Sequence, residues 1–331
     1  MFFHDRYKRN IKVKRTMNFL ELALGKGNQF WKYLIVLVVS FVGASIVGSI
    51  PLMVIIGIKM AQSGDVTAAI DITNLDALGI SSNLGLFLMM LPLVLGLFVL
   101  IGLIWLFHNK RSYKETINGT KVRVRWNRVA MGAACWASLM FAYYVIDYAI
   151  DPSNYVFQFD LSSFIPLIII SLLFIPLQTS FEELSFRGYF AQGMVALTKN
   201  RWVALIVPSV IFGLIHITNP EVKEFGFWIA MPQYILFGMV FGLVSILDDG
   251  IELAMGMHAA NNVFLSLFVT HSSSALQTSA VFSVNEINPV KELIVLFIMA
   301  VALVLFFYKK YNWSLSVLNK KVEKKIVEEV Q

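Results

Sequence analysis

The chain has 331 residues, of which 57% are hydrophobic and only 15% charged, and its mean hydropathy is +0.70. Soluble domains carry about 25% charged residues, so this composition excludes a fold that hides its apolar surface in one water-soluble core, and the bilayer becomes its natural solvent. The net charge of +6 and pI near 9.2 do not indicate a nucleic-acid binder, because Lys and Arg sit in short blocks between apolar runs with no aromatic-interleaved basic surface.

The N-terminus is basic (Arg6, Lys8, Arg9, Lys12, Lys14, Arg15), and the first apolar run begins only near Tyr33. That run is too long for the core of a signal peptide, so a retained first span is expected in place of a cleaved leader. A span needs about 20 mostly apolar residues. Eight segments qualify: 33–58, 84–107, 129–148, 161–179, the somewhat short 202–217, 227–247, 251–269 and 293–308. Each must be helical, since a lone strand in lipid leaves its backbone unsatisfied. A β-barrel would show short alternating segments instead of these unbroken ones. The expected fold is therefore all-α, a polytopic helical bundle.

All Lys and Arg except Lys59, Lys223 and Lys291 fall at the two chain ends or in the second-to-third and fourth-to-fifth connections. Cations collect on the cytoplasmic side, which places both termini there. The opposite loops carry Asp65, Asp71, Asp76, Asp151 and Asp160. The lone cysteine, Cys135, allows neither an internal disulfide nor a CxxC metal site and is taken as a helix-packing residue. The organisation expected is a basic cytoplasmic segment (1–32), additional helices and loops (33–160), a core (161–270), and a last span with a cytoplasmic tail (271–331). No oligomeric state follows.

An ionisable group at membrane depth is costly unless paired or hydrated, and is a functional candidate by default. Asp147 stands near the outer end of the third span. Glu182, Glu183 and Arg187 follow the fourth. Glu183 and Arg187 are four apart and can pair on a helix, which leaves Glu182, about 100° away, without that partner. Desolvation of such a carboxyl suits it to activating water, although acids in a helix's first turn at the interface fit the same residues. His216 ends the fifth span with Phe212 one turn earlier, a position open to capping as much as to catalysis. His258 and Asn262 share a face of the seventh span, beside Ala254, Gly256, Ala259 and Ala260, which admit a close neighbour. Together they suit an oxyanion hole or plain interhelical hydrogen bonding. Only five histidines occur, and His4, His108 and His271 lie in loops or at span ends. One carboxylate, one histidine and a His/Asn pair make a hydrolytic set. The linear count nevertheless puts Glu182 at the cytoplasmic end of the fourth span and His216 at the outer end of the fifth. They meet only if the glutamate segment lies deeper.

Glu182-Glu183-x-x-x-Arg187, Phe212-x-x-x-His216 and His258-x-x-x-Asn262, in that order on apolar helices, resemble the CAAX-protease and bacteriocin-processing family, often called Abi or CPBP proteins, whose eukaryotic relatives include the Ras-converting enzyme. The resemblance covers about residues 161–269. It implies glutamate-dependent proteolysis within the membrane, with Glu182 activating water, His216 assisting, His258 and Asn262 holding the oxyanion, and Glu183 and Arg187 maintaining geometry. The family is also labelled as metalloproteases, and Glu, His and His can bind zinc. With no HExxH and ligands only from three separate helices, no metal is expected, and zinc stays the less favoured alternative. The expected partners are the lipid bilayer and a membrane-associated peptide or protein substrate, and the expected location is a bacterial plasma membrane. A non-proteolytic scaffold or bacteriocin immunity protein competes with this reading. So does a proton-coupled transporter, though paired halves with broken helices are missing.

Overall fold

The computed structural model describes residues 18–63, 75–120 and 123–323. His4, the basic block at 6–15, Asp65, Asp71, the Asp76 side chain, Lys121 and the tail from 324 lie outside the described residues. Eight long helices stand where the eight apolar segments were read: α1 Phe30–Gln62, α2 Ser82–Phe107, α3 Trp126–Ile150, α4 Leu161–Thr198, α5 Arg201–Leu214, α6 Phe227–Leu247, α7 Glu252–Phe268 and α8 Pro289–Lys310. Six of them are long and apolar enough to cross a membrane, and α5 and α7 are the shorter two. The architecture is an all-α polytopic bundle. Its only sheet among the described residues joins β1 Tyr155–Phe157, β2 Val269–His271 and β3 Phe282–Val284 in the order β1-β3-β2. At three residues each, these strands are too short for alternation to reveal them in the sequence.

Local chemistry starts the helices. Asp160 accepts the Ser163 N–H at 2.9 Å to cap α4, Asn200 accepts the Trp202 N–H at 2.8 Å to cap α5, and Asn288 caps α8 with Pro289 in its first turn. Such caps satisfy backbone donors that the first helical turn leaves free. Lys199, left-handed at φ 56°, ends α4 and turns the chain directly into α5.

The largest departure from the sequence reading is α4. It does not stop near Thr179 but runs on to Thr198, through a π-helical stretch at Leu184–Phe190. The first half presents Ile165, Ile169, Leu172 and Leu173 outward, whereas every residue from Phe181 to Val195 is buried. Arg187, taken from the sequence as a loop cation, is thus inside the bundle. The polarity of the 178–192 stretch ended the hydropathy run, but that polarity faces other helices and not water.

Two close approaches fix α7. A Cβ on Gly256 would stand 2.0 Å from the Val129 carbonyl oxygen, and one on Gly132 would stand 2.3 Å from that of Leu253. The backbones of α3 and α7 therefore touch, and α7 also packs against α4. One end of the bundle gathers both ends of the described chain. Phe19 N–H donates to Asp249 at 3.2 Å, Val322 N–H donates to the Lys199 carbonyl at 2.9 Å, and Arg125 bridges Asp248 and Glu252.

Candidate active site

The hairpin of α4 and α5 resolves the depth problem. Glu182 stands seventeen residues before Lys199, and His216 sixteen after Asn200. At about 1.5 Å per residue, both lie roughly 25 Å from the turn. Because α4 continues past Thr179 to Thr198, the two residues come level.

Glu182, Glu183, Arg187 and His258 are all buried. Glu183 Oε1 accepts from Arg187 Nη1 at 2.8 Å and from His258 Nδ1 at 2.7 Å. The four-residue spacing of Glu183 and Arg187 thus gives the expected pair, and His258 joins it from α7. The Arg187 guanidinium also lies 4.0 Å from the centre of the Phe212 ring, so an aromatic face replaces part of its lost hydration. With Nδ1 held by Glu183, the other ring nitrogen of His258 stands 3.6 Å from Glu182 Oε2. Phe212 packs between the two histidines, edge-on to His258 with ring centres 6.1 Å apart and tilted against His216 at 4.8 Å.

His216 and Asn262 are only partly buried, and they mark the open side of the cluster. His216 Nδ1 is 2.7 Å from the Phe212 carbonyl. A carbonyl only accepts, so Nδ1 carries the hydrogen and Nε2 of the neutral ring is a proton acceptor. Asn262 does not bond His258 along their shared face. It donates from Nδ2 to Gln178 Oε1 at 3.2 Å, and Gln178 donates to Glu182 Oε1. The expectation of a partnerless Glu182 is therefore corrected: it lacks an arginine, but an amide donor and an imidazole flank it. The seven residues of the three motifs all contribute to one cluster or its immediate wall, whereas Asp147 lies apart from it, paired with Lys291.

Three contributors escaped the sequence reading. Gln178 sits one turn before Glu182 on α4, a spacing that could have revealed it. Tyr234 of α6 stacks on His216, with centroids 4.6 Å apart and planes at 17°, while its hydroxyl donates to Glu221 and accepts from Asn219. Trp136 of α3 reaches Asn261, the neighbour of Asn262. Neither Tyr234 nor Trp136 carries a local signal. Among the described residues, no group of three or more His, Cys, Asp or Glu side chains is arranged to hold a metal ion. Glu182, His216 and His258 share a neighbourhood without forming such a ligand set.

Comparison with known proteins adds two findings. Residues 161–264 match the family model described as "Type II CAAX prenyl endopeptidase Rce1-like". Over 304 residues the chain is 32% identical to an uncharacterised protein, YyaK, of Bacillus subtilis (strain 168), covering 89% of this chain and 97% of that one. No solved structure matches the chain.

Proposed function

The chain belongs to the Rce1-like family of type II CAAX prenyl endopeptidases, and on that premise we propose that it is an intramembrane endopeptidase cutting a membrane-associated peptide or protein. The observation that carries the reading is the buried Glu182–His258 pair at 3.6 Å, with His258 anchored from behind by Glu183 and Arg187. Glu182 takes a proton from water as the oxygen attacks the scissile carbonyl, and later gives that proton to the leaving amine. Asn262 offers an amide hydrogen to the tetrahedral oxyanion. With its Nδ1–H committed to Glu183, His258 can donate to the oxyanion from its other ring nitrogen only as imidazolium. His216, with Nε2 free to accept, assists the proton's passage. The scheme uses no metal. The relative's source and the apolar helices support a bacterial plasma membrane as the location, and the gathering of Lys and Arg at the chain ends and in alternate connections supports termini in the cytoplasm.

The test compares membrane and secreted peptides by mass spectrometry from cells carrying wild type or Glu182→Gln at equal expression. Fragments present only with wild type are expected, with cleavage falling by about 10²- to 10⁴-fold, the usual contribution of a general base. The cleavage should also survive a metal chelator. Identical peptide profiles with the cellular phenotype intact would overturn the reading in favour of a scaffold or immunity protein.

A further inference from the structure

Four hydrogen bonds cross three helices and end on Glu182. Trp136 Nε1 of α3 donates to Asn261 Oδ1 at 3.1 Å. Asn261 Nδ2 donates to Asn262 Oδ1 at 3.0 Å, Asn262 Nδ2 donates to Gln178 Oε1 at 3.2 Å, and Gln178 Nε2 donates to Glu182 Oε1. An amide can present either end to a neighbour, so a row of three amides has two possible directions. The two ends of this row remove the choice. An indole N–H only donates, and an ionised carboxylate only accepts. Turning over any one amide would set two acceptors or two donors against each other in a partly buried row whose last bond, to Glu182, is fully buried.

We infer that Gln178 is a positioning residue for Glu182, and that Trp136, on a helix carrying none of the three motifs, sets the direction of the chain from its far end. The inference deepens the endopeptidase reading and rests on it for Glu182's role as base. Gln178 holds Glu182 Oε1, leaving Oε2 on the His258 side. The same chain commits one Asn262 amide hydrogen to Gln178 and leaves the second for a substrate oxygen. It ties the base and the oxyanion donor into one unit, so that neither rotates alone. A donor to the ionised form of a carboxyl favours that form. Gln178 supplies such a donor to Glu182 Oε1 inside an apolar bundle. Ordinary interhelical glue would need no fixed direction and would leave the protonation of Glu182 indifferent to Trp136.

The experiment is an infrared pH titration of the purified full-length protein in detergent, which needs no substrate. The Glu182 carboxyl band is assigned as the one missing from Glu182→Gln. In Gln178→Met, similar in size but without the donor, the protonation midpoint should rise by about one to two pH units, the ten- to hundredfold effect of one hydrogen bond to a charged group. Trp136→Phe should raise it in the same direction by a smaller step, about half a unit on the same scale. If Gln178→Met does not fold, Gln178→Ala is titrated and read by the same criterion. A midpoint that stays put without the Gln178 donor overturns the positioning role. A midpoint that moves with Gln178 but ignores Trp136 overturns the directional claim. The endopeptidase reading stands or falls separately, on the peptide profiles.

Discussion

Glu183 accepts from Arg187 and His258 through the same oxygen, so three groups share one buried charge balance. Removing one member of such a pair leaves an uncompensated charge and costs about 3–5 kcal/mol, which explains why an arginine is tolerated at this depth. His108 is a second buried histidine, outside this network. It is bonded on both nitrogens, to Asn28 and to the Tyr189 hydroxyl, each at 2.7 Å. Burial first, then the charges of Arg111 and Lys32, push its pKa down from 6.5 to about 3. The sign follows: between these values the unfolded chain binds a proton that the folded chain refuses, so stability falls as pH drops below about 6.5. Unfolding of the detergent-solubilised protein, followed by circular dichroism, should show this loss between pH 6.5 and 4. His108→Gln, which keeps hydrogen bonding without titrating, should flatten the slope by up to about 1.4 kcal/mol per pH unit. A slope unchanged by the substitution would show that other groups carry the acid sensitivity. At this scale the motif residues were legible, because charge at membrane depth is conspicuous. Gln178, an uncharged amide with no comparable cost, was not.

At the scale of elements, α4 carries most of the site because it does not break where its hydropathy does. Its π-helical stretch follows directly on Glu183 and contains Arg187, in keeping with the occurrence of such widened turns at functional sites. The α3–α7 contact is the other decisive element, since it sets the distance between Trp136 and Asn261 and holds His258 against α4. Gly256→Ala should therefore destabilise the protein and lower cleavage, because the added carbon meets backbone that no side-chain rotation can clear. Gly102→Ala on α2, where the added carbon meets nothing within 4 Å, should be neutral or stabilising by up to about 1 kcal/mol, the helix-propensity difference. Melting temperatures of the two variants side by side check the pair. A tolerated Gly256→Ala would mean that the helices are not held this close.

The whole molecule has two unlike ends. One gathers Phe19, the Lys199 turn, Asp248, Glu252 and the segment around Val322; the other carries the small sheet and the Asp147–Lys291 pair, at 2.7 Å. Single cysteines introduced at Lys199 and Lys320 in a Cys135→Ser background should react with an impermeant thiol reagent from the same face of the membrane. One at Glu286 should react from the other face. Labelling of Lys199 and Lys320 positions from opposite faces would reject this arrangement.

Composition and periodicity by themselves determined the class of this protein: a membrane bundle, its helices in order, and six polar motif residues too costly to be accidental. Those properties are local, because transfer to lipid is priced residue by residue and an i, i+4 pair shares one turn. Tertiary structure alone decided where α4 ends, since polar residues facing other helices read in sequence like polar residues facing water. It alone brought Glu182 level with His216, across a turn set by the left-handed Lys199. It alone placed Trp136 and Tyr234 beside the site, because their partners lie on helices distant in sequence, and no local pattern encodes which faces will meet.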